Sequence, residues 1–269
     1  MSEQLNAALA DDLALALRLA DEASALALDF LQAGVVTSQK PDGSVVTDAD
    51  VAVERMLVAA LASLRPFDAI LGEELGVVGN GHRRWILDPI DGTRGFIAGR
   101  PDWGVHIALE SHGRIVVGVV SRPASSQRWW ASQGDGAYTG QLGSTHPVRR
   151  LQVSTRATLD DALVSGWLFD DDPVRARLRS LPSFVEPRDL DDIIRVAEGH
   201  LDAVVDGTNS QIWDRAPLAV LVEEAGGRYR DRFGGQNLHL PGGFFTNGHI
   251  DPALDALLAD RATESPRFD

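Results

Sequence analysis

The sequence contains no cysteine, and this absence excludes disulfide bridges, thiolate metal sites and cysteine nucleophiles. Zinc held by sulfur is therefore excluded as well. The seven histidines show no close spacing that would suit two ligands of one metal ion, so a histidine-rich metal site is not favoured.

Long apolar runs are also missing, since none approaches the roughly 20 residues that a membrane-spanning helix needs. The first residues, Met1 to Gln4, carry no basic segment of the kind that opens a secretory signal. We therefore expect a cytoplasmic protein without a membrane partner.

Positive charge is scarce, because 25 Lys and Arg residues stand against 39 Asp and Glu residues, a net charge of −14. This balance argues against a nucleic-acid partner. It also disfavours an anionic substrate unless local cations offset the field, which points to bound metal ions. With 269 residues, 44 % of them hydrophobic, the chain suffices for one large domain or two closely packed lobes.

The segment Trp85–Thr93 organises the rest of the chain. Its apolar residues predict the end of a buried strand, and Asp88-Pro89 predicts that the backbone leaves the strand there. Asp91 and the glycine after it predict a turn, and Thr93 predicts a helix start. Two carboxylates and a helix N-terminus suit hard cations and a phosphate group. A tight turn with an aspartate cap explains the same residues without a ligand.

A second acidic segment precedes a predicted helix that continues to Leu64. Thr47 or Asp48 can cap this helix, and the helix dipole favours both Asp48 and Asp50 near its start. Lys40 lies in the loop before them, where it can equally be a solvated side chain. These residues alone require no ligand.

Two adjacent glutamates, Glu73 and Glu74, follow a short apolar strand predicted at 69–71. Both cannot face the core, so one can turn inward at the strand end. Two neighbouring strands would then bring Glu73, Asp88 and Asp91 to one edge of a sheet.

The second half begins near Arg150, with strands predicted at 151–154 and 162–166. Asp214 stands just ahead of a strongly apolar helix, predicted at 215–225 and stopped by Gly226-Gly227, and an N-cap role alone explains it. Pro217 is expected in the first turn of that helix, where a missing N–H costs little.

Three blocks of this sequence together resemble the inositol monophosphatase family of metal-dependent phosphomonoesterases: Gly72-Glu73-Glu74, the pattern Trp-x-x-Asp-Pro-Ile-Asp-Gly-Thr-x-x-Phe from Trp85 to Phe96, and Trp213-Asp214. The resemblance extends from Lys40 to Gly248, and its middle block is highly specific. It implies an α/β fold, an α+β layered sandwich with the αβαβα architecture of sugar phosphatases. The expected lobes are 1–150, with most metal ligands, and 151–269, which supplies Asp214 and substrate-selecting residues to one catalytic unit.

The resemblance further implies two or three Mg²⁺ ions. Glu73, Asp88 and the carbonyl of Ile90 would hold the first ion. Asp88, Asp91 and Asp214 would hold the second, so that Asp88 bridges the two. A third, weaker ion can share Glu73.

Catalytic residues are implied by the same resemblance. Thr93 and Glu73 would orient the metal-bound water. Lys40 matches a residue of a mobile loop, and Asp48 matches an acid behind the metal ligands. The residues expected to bind the phosphate or the rest of the substrate are Asp91, Gly92, Thr93, Arg188, Asp189, Asp206 and Asp214.

The segment 91–104, together with Arg128-Trp129-Trp130, is most similar to the histidinol-phosphatase branch of the family. Elsewhere the chain departs from the family pattern. Arg188 and Asp189 stand where members commonly place a small Gly-Ser or Gly-Asp pair, and Asp206 is about one residue out of register with the substrate-contacting acid. The acidic stretch at Arg188 can face a cationic or polyhydroxyl leaving group, or can be a solvated helix start.

We expect Mg²⁺-dependent hydrolysis of a small phosphorylated alcohol by metal-activated water, without a protein nucleophile. Histidinol phosphate is the first expectation for the substrate, and inositol, sugar or nucleotide monophosphates stay open. A metal- and phosphate-binding regulatory protein without turnover is the alternative of another class, against which Thr93 and the full set of acids weigh. Because the family is often dimeric, we expect a homodimer.

Overall fold

The computed structural model describes residues 3–144, 146–147, 149–170, 172–188 and 191–258. The chain divides into two compact units, the first made of residues 1–150 with 212–224 and the second of 151–211 with 225–269. No helix in the described part of the chain combines the length and the apolar composition needed to cross a bilayer.

Up to residue 150, the helices and strands in chain order are α1 (Glu3–Ala33), β1 (Thr37–Gln39), β2 (Val45–Thr47), α2 (Asp48–Leu64), β3 (Ala69–Gly72), β4 (Gly76–Val78), β5 (Arg83–Asp91), α3 (Thr93–Ile97), β6 (Gly104–Ser111), β7 (Arg114–Arg122), β8 (Gln127–Ser132), β9 (Gly136–Gln141) and β10 (Arg149–Arg150). After residue 150 they are β11 (Val164–Trp167), α4 (Pro173–Arg179), α5 (Asp191–Ala197), β12 (Ala203–Asp206), α6 (Ile212–Glu224), β13 (Arg228–Arg230), β14 (Gly243–Thr246) and α7 (Asp251–Leu258).

Helix α1 follows the apolar spacing of its sequence. Leu15, Leu19 and Ala23 recur at every fourth position and are buried. The helix ends at Ala33, and Gly34 after it has a φ of 90°, the left-handed conformation that favours glycine at a helix end. The spacing therefore produces one continuous helix.

Helix α2 begins with a capping box. The Thr47 side chain accepts the N–H of Asp50, and Asp50 Oδ2 accepts the N–H of Thr47 at 2.8 Å. Thr47 is thus the N-cap, and Asp48 is the first helical residue. The box holds Asp50 in a buried position, whereas Asp48 is exposed.

An eight-stranded sheet with the order β10-β9-β8-β7-β6-β5-β3-β4 forms the centre of the first unit. Strands β3 and β5 are parallel, and the other neighbours are antiparallel. Helices α1 and α2 pack on the face to which Val117 and Val119 contribute. Helix α6 packs on the opposite face, so closely that a Cβ at Gly118 would lie 2.7 Å from the Pro217 carbonyl oxygen.

Strand β5 continues through Pro89 to Asp91, so the prediction that Asp88-Pro89 ends the strand is wrong. The pairing with β6 shifts between Asp88, which faces His106, and Asp91, which faces Gly104. This β-bulge accommodates the proline, because ladder hydrogen bonds are already interrupted there. The parallel partner β3 ends before this point.

Helix α6 starts at Ile212, earlier than the sequence suggests. Asp214 therefore lies in the first turn and is not the N-cap, and Pro217 lies inside the helix, beyond the first turn. Although α6 follows residue 150 in the chain, it belongs to the first unit and packs on strands β5 to β9.

The second unit contains a four-stranded sheet with the order β11-β12-β14-β13, in which β11 and β12 are parallel. The strand predicted at 151–154 is not formed. Leu151 and Val153 are buried there, and the Val153 N–H donates to the Ala225 carbonyl. Alternating apolar residues are thus buried in this segment although it forms no strand.

Candidate active site

The end of strand β5 brings two aspartates together. Asp88 is buried, with 1 % of its surface exposed, and its Oδ1 accepts the N–H of Ile90 at 3.1 Å. Asp91 is half-buried beyond the bulge. Ligand atoms of Asp88, Asp91 and His106 lie within 4.8 Å of one another. The bulge is the local feature that places both carboxylates at one point.

Asp88 lies in a strongly negative environment. Burial raises the pKa of its carboxyl group well above the ordinary value, and the charges of Glu73, Asp91 and Asp214 raise it further. A buried carboxylate among half-buried acids that repel it is unfavourable unless protons or a cation neutralise the group. Its carboxylate oxygens are the ligands that a hard cation such as Mg²⁺ prefers, so the residues fit such an ion.

Glu73 follows strand β3, and its N–H donates to the Leu87 carbonyl of β5 at 3.2 Å. Lys40 Nζ lies 2.8 Å from an oxygen of Glu73 and 2.8 Å from an oxygen of Glu74. Burial acts to lower the pKa of Lys40, but its hydrogen bonds to both glutamates outweigh burial, so the pKa is raised. Burial raises the pKa of Glu74 to about 7, although the hydrogen bond from Lys40 opposes this.

Glu54 of α2 is an acid that sequence reasoning missed. Its fully buried carboxylate accepts the N–H of Glu74 at 2.9 Å and that of Leu75 at 2.7 Å. Gly72 makes room for this carboxylate, because a Cβ at that position would collide with it. Burial raises the pKa of Glu54. The available signal was its spacing of four residues from Asp50, which places both acids on one helix face.

Thr93 begins helix α3 and contacts an acid on α2. Its Oγ1 lies 3.2 Å from Asp50 Oδ1 and 3.1 Å from the Ile90 carbonyl oxygen. Burial raises the pKa of Asp50, against the hydrogen bonds from Thr47 and Thr93. Asp48, expected to stand behind the metal ligands, is exposed and accepts the N–H of Val36 at 2.9 Å.

The acid near Thr93 is therefore Asp50, which sequence reasoning did not select. The signal that could have found it is the capping-box spacing from Thr47, because the third helical residue of such a box turns back toward the helix start.

Gly92 connects β5 to α3 and has a φ of 80°, in the left-handed region that favours glycine. A Cβ at this position would lie 2.5 Å from the Asp102 carbonyl oxygen. Both constraints make glycine necessary at this turn. The turn presents the first N–H groups of α3, which have no acceptor within the helix.

Arg122, the last residue of β7, is a third residue that sequence reasoning missed. Its guanidinium is buried, with Nη2 at 3.2 Å from Asp91 Oδ2 and Nη1 at 3.2 Å from His106 Nε2. Because arginine only donates, His106 Nε2 accepts this hydrogen bond. No local pattern reveals the contact, since 31 residues separate Arg122 from Asp91.

The structure thus brings together, in the first unit, the acids Glu73, Asp88, Asp91 and Asp214 with Lys40, Ile90, Gly92 and Thr93.

Arg188 and Asp206, expected to select the substrate, lie in the second unit. Arg188 is exposed, and its backbone N–H donates to Asp192 at 3.1 Å. Asp206 is buried, and its Oδ1 accepts hydrogen bonds from the N–H and hydroxyl of Thr208. Its other oxygen accepts from the Ser210 hydroxyl, so Asp206 organises its own loop. Asp189 lies outside the described residues.

Comparisons with known proteins identify the family to which this fold and site belong. The model of the inositol monophosphatase family matches residues 9–266. A histidinol-phosphatase from Streptomyces coelicolor is 38 % identical, covering 93 % of this chain and 98 % of its own length. One from Mycobacterium tuberculosis is 41 % identical with the same coverage. A Streptomyces griseus protein named glucose-1-phosphate thymidylyltransferase is 45 % identical, covering 84 % of this chain and 88 % of its own.

Solved structures agree with this result. The inositol monophosphatase of Zymomonas mobilis has a TM-score of 0.77 and 32 % identity, covering 92 % of this chain and 98 % of its own. That of Thermotoga maritima has a TM-score of 0.79 and 26 % identity, covering 94 % and 98 %. The expected mixed α/β layered fold is confirmed. The chain belongs to the inositol monophosphatase family, whose members are metal-dependent phosphatases, and it is a phosphoric monoester hydrolase of that family.

Proposed function

We propose that this protein hydrolyses a small phosphorylated alcohol with the aid of Mg²⁺, and that histidinol phosphate is its substrate. The observation that carries the proposal is the burial of Asp88 among the charges of Glu73, Asp91 and Asp214. Such a group of acids costs free energy in the metal-free protein, so its presence is best explained by cations that it binds.

The donor set suits two ions. Glu73, Asp88 and the Ile90 carbonyl would hold one, and Asp88, Asp91 and Asp214 would hold the other. A third ion would share Glu73. Bound Mg²⁺ supplies acidity to a water ligand and stabilises charge on the leaving oxygen.

Thr93 and Asp50 are suited to proton handling. The Thr93 hydroxyl lies within hydrogen-bonding distance of Asp50 Oδ1 and can donate to it. In that arrangement Thr93 Oγ1 can take a proton from an attacking water as its own hydroxyl proton passes to Asp50 Oδ1, so the carboxylate of Asp50 is the final acceptor. The capping box keeps Asp50 itself fixed.

The phosphate group would be held by the backbone N–H groups of Gly92 and Thr93, because the first turn of a helix offers donors to an anion. Lys40 contacts Glu73 directly and would orient that carboxylate. Asp91 and Asp214 would also face the substrate. In the second unit we propose Arg188, Asp189 and Asp206 as substrate-selecting residues.

Histidinol phosphate is supported by two histidinol-phosphatases that match nearly the whole chain at 38 % and 41 % identity. Inositol phosphate is the alternative, supported by an inositol-1-monophosphatase of Mesorhizobium japonicum at 33 % identity. Nucleotidyl transfer is a second candidate function, because the relative named glucose-1-phosphate thymidylyltransferase is 45 % identical.

The deciding experiment measures phosphate release from histidinol phosphate, inositol 1-phosphate, glucose 1-phosphate and 3′-phosphoadenosine 5′-phosphate, each with Mg²⁺ or with a chelator. A parallel reaction with glucose 1-phosphate and dTTP measures pyrophosphate release. We expect Mg²⁺-dependent phosphate release, fastest with histidinol phosphate. Pyrophosphate release alone would establish the transferase, and Mg²⁺ binding without turnover would establish a regulatory protein.

The homodimer and the cytoplasmic location are likewise proposals. Light scattering on the purified protein at several concentrations would test the dimer, and a single monomeric mass at all of them would contradict it. Fractionation of the producing cells would test the location.

A further inference from the structure

Arg122 occupies an unusual position for a cation, because only 4 % of it is exposed and it lies against a carboxylate of the acidic site. Its Nη2 lies 3.2 Å from Asp91 Oδ2. A buried guanidinium is costly unless its donors are bonded, so this contact requires specific support from the fold.

The fold provides that support at Gly104. Strand β6 lies between β5, which carries Asp91, and β7, which carries Arg122. Gly104 of β6 faces Asp91 in the ladder, and a Cβ at Gly104 would collide with Arg122 Nη1. The Arg122 side chain therefore crosses β6 over the glycine to reach Asp91.

His106 completes the arrangement from the middle strand. It is fully buried, and its Nε2 lies 3.2 Å from Arg122 Nη1 and 3.5 Å from Asp91 Oδ2. The accepting nitrogen of His106 fixes the second arm of the guanidinium. Two contacts on different nitrogens hold Arg122 in one orientation toward Asp91.

The positive charge of Arg122 affects how tightly a cation can bind beside Asp91. Arginine stays protonated at all relevant pH values, so its positive charge beside Asp91 is permanent. A fixed positive charge a few ångströms from a metal position repels the metal and lowers its affinity. Lys40 contacts Glu73 in a similar way, but it is more exposed and sits on a different part of the site.

We propose that Arg122 is a positioning residue that orients Asp91 through Oδ2 and weakens Mg²⁺ binding at the position shared by Asp91 and Asp214. This inference rests on the proposed Mg²⁺-dependent function. Weak binding at one of two positions would let the ion and the product leave after each turnover, whereas a fixed Asp91 keeps the geometry reproducible.

Isothermal titration of Mg²⁺ into the chelator-treated full chain, without substrate, tests this inference directly. We expect Arg122→Met to tighten the weaker Mg²⁺ site about tenfold, since a nearby unit charge is removed. Arg122→Lys keeps the charge and should stay within about threefold of the wild type. Turnover of Arg122→Met at saturating Mg²⁺ should fall about tenfold, because Asp91 loses its fixed orientation.

The matched control is Arg84→Met. Arg84 pairs with Glu110 at 2.7 Å across β5 and β6, so this variant also loses an arginine ion pair of the same sheet. Its Mg²⁺ affinity should equal that of the wild type.

Unchanged or weaker Mg²⁺ binding in Arg122→Met would overturn the inference. Should that variant not fold, Arg122→Gln decides in the same way, because it also lacks the charge and remains polar. A wild-type chain that binds no Mg²⁺ would instead refute the proposed function, so the two failures are distinguishable.

Discussion

Two aspartates that stand two positions apart in the chain, Asp48 and Asp50, differ sharply in burial and in their contacts. Asp50 is buried and contacts Thr93, whereas Asp48 is exposed and accepts the backbone N–H of Val36, just before β1. The same residue type thus has different surroundings because the capping box turns one side chain inward. What a carboxylate can do here depends on where it is held.

The pair of variants Asp50→Asn and Asp48→Asn tests that difference. We expect Asp50→Asn to lower turnover about 10- to 100-fold, because Thr93 loses its anionic acceptor. Asp48→Asn should keep turnover within about twofold of the wild-type value, because this side chain is exposed. Steady-state kinetics of both variants measure this difference, and thermal unfolding checks that the capping box of α2 is still intact. Equal losses of turnover in the two variants would contradict the expected difference.

Asp91→Asn should lower turnover at least about 100-fold and so remove nearly all activity. Loss of a metal ligand costs more activity than loss of a group that only orients a ligand. The fold should be retained, since removing one charge relieves repulsion on buried Asp88. Phosphate release and the thermal midpoint in chelator are the two measurements. Activity like that of the wild type would remove Asp91 from the metal site.

Elements position the acids through contacts between helices and strand ends. Glu54 of α2 accepts two consecutive backbone N–H groups in the turn after β3, and this turn carries Glu73. The β-bulge of β5 positions Asp88 and Asp91. Both devices act on the backbone, so they hold the ligands before any ion arrives.

Glu54→Gln should therefore destabilise the protein by about 1–3 kcal/mol, because an amide can accept only one of the two N–H groups and turns a donor toward the other. Denaturant unfolding measures this loss. The control is Glu22→Gln, which removes an exposed pair with Arg18 and should cost less than about 0.5 kcal/mol. Equal stability of the two variants would contradict the role of Glu54.

Elements with strong local signals were predictable from the sequence. Helix α1 follows its leucine spacing, and the turn between β6 and β7 lies at His112-Gly113, where glycine favours a turn. The errors lie where neighbours override local signals. Pro89 stays within β5 because a bulge receives it. Residues 151–154 form no strand, and the Val153 N–H instead donates to the Ala225 carbonyl, outside any strand.

At the scale of the whole molecule, a net charge of −14 accompanies several buried or half-buried acids with raised pKa values, among them Asp50, Glu54, Glu74 and Asp88. An acid whose pKa is raised on folding binds protons more tightly in the folded state. Its contribution to stability is complete below the unfolded pKa and is lost as pH rises through the folded pKa.

The metal-free protein should therefore lose stability as pH rises. Burial raises the pKa of Glu74 from 4.5 to about 7, so the loss should extend from about pH 4.5 to about pH 7. Thermal unfolding in chelator at several pH values measures it. Saturating Mg²⁺ should reduce the loss by neutralising the neighbouring ionised acids, and a midpoint that increases with pH in chelator would contradict this account.

The sequence by itself determined the chemistry of the site, because the ligand types and the turn at Gly92 are encoded in short contiguous blocks that resemble one family. Only the tertiary structure decided which residues meet. It places Asp50 beside Thr93, groups α6 and Asp214 with the first unit, and lets Arg122 cross Gly104 to Asp91. These contacts join residues far apart in the chain, and no local pattern records them, since packing across a sheet sets them.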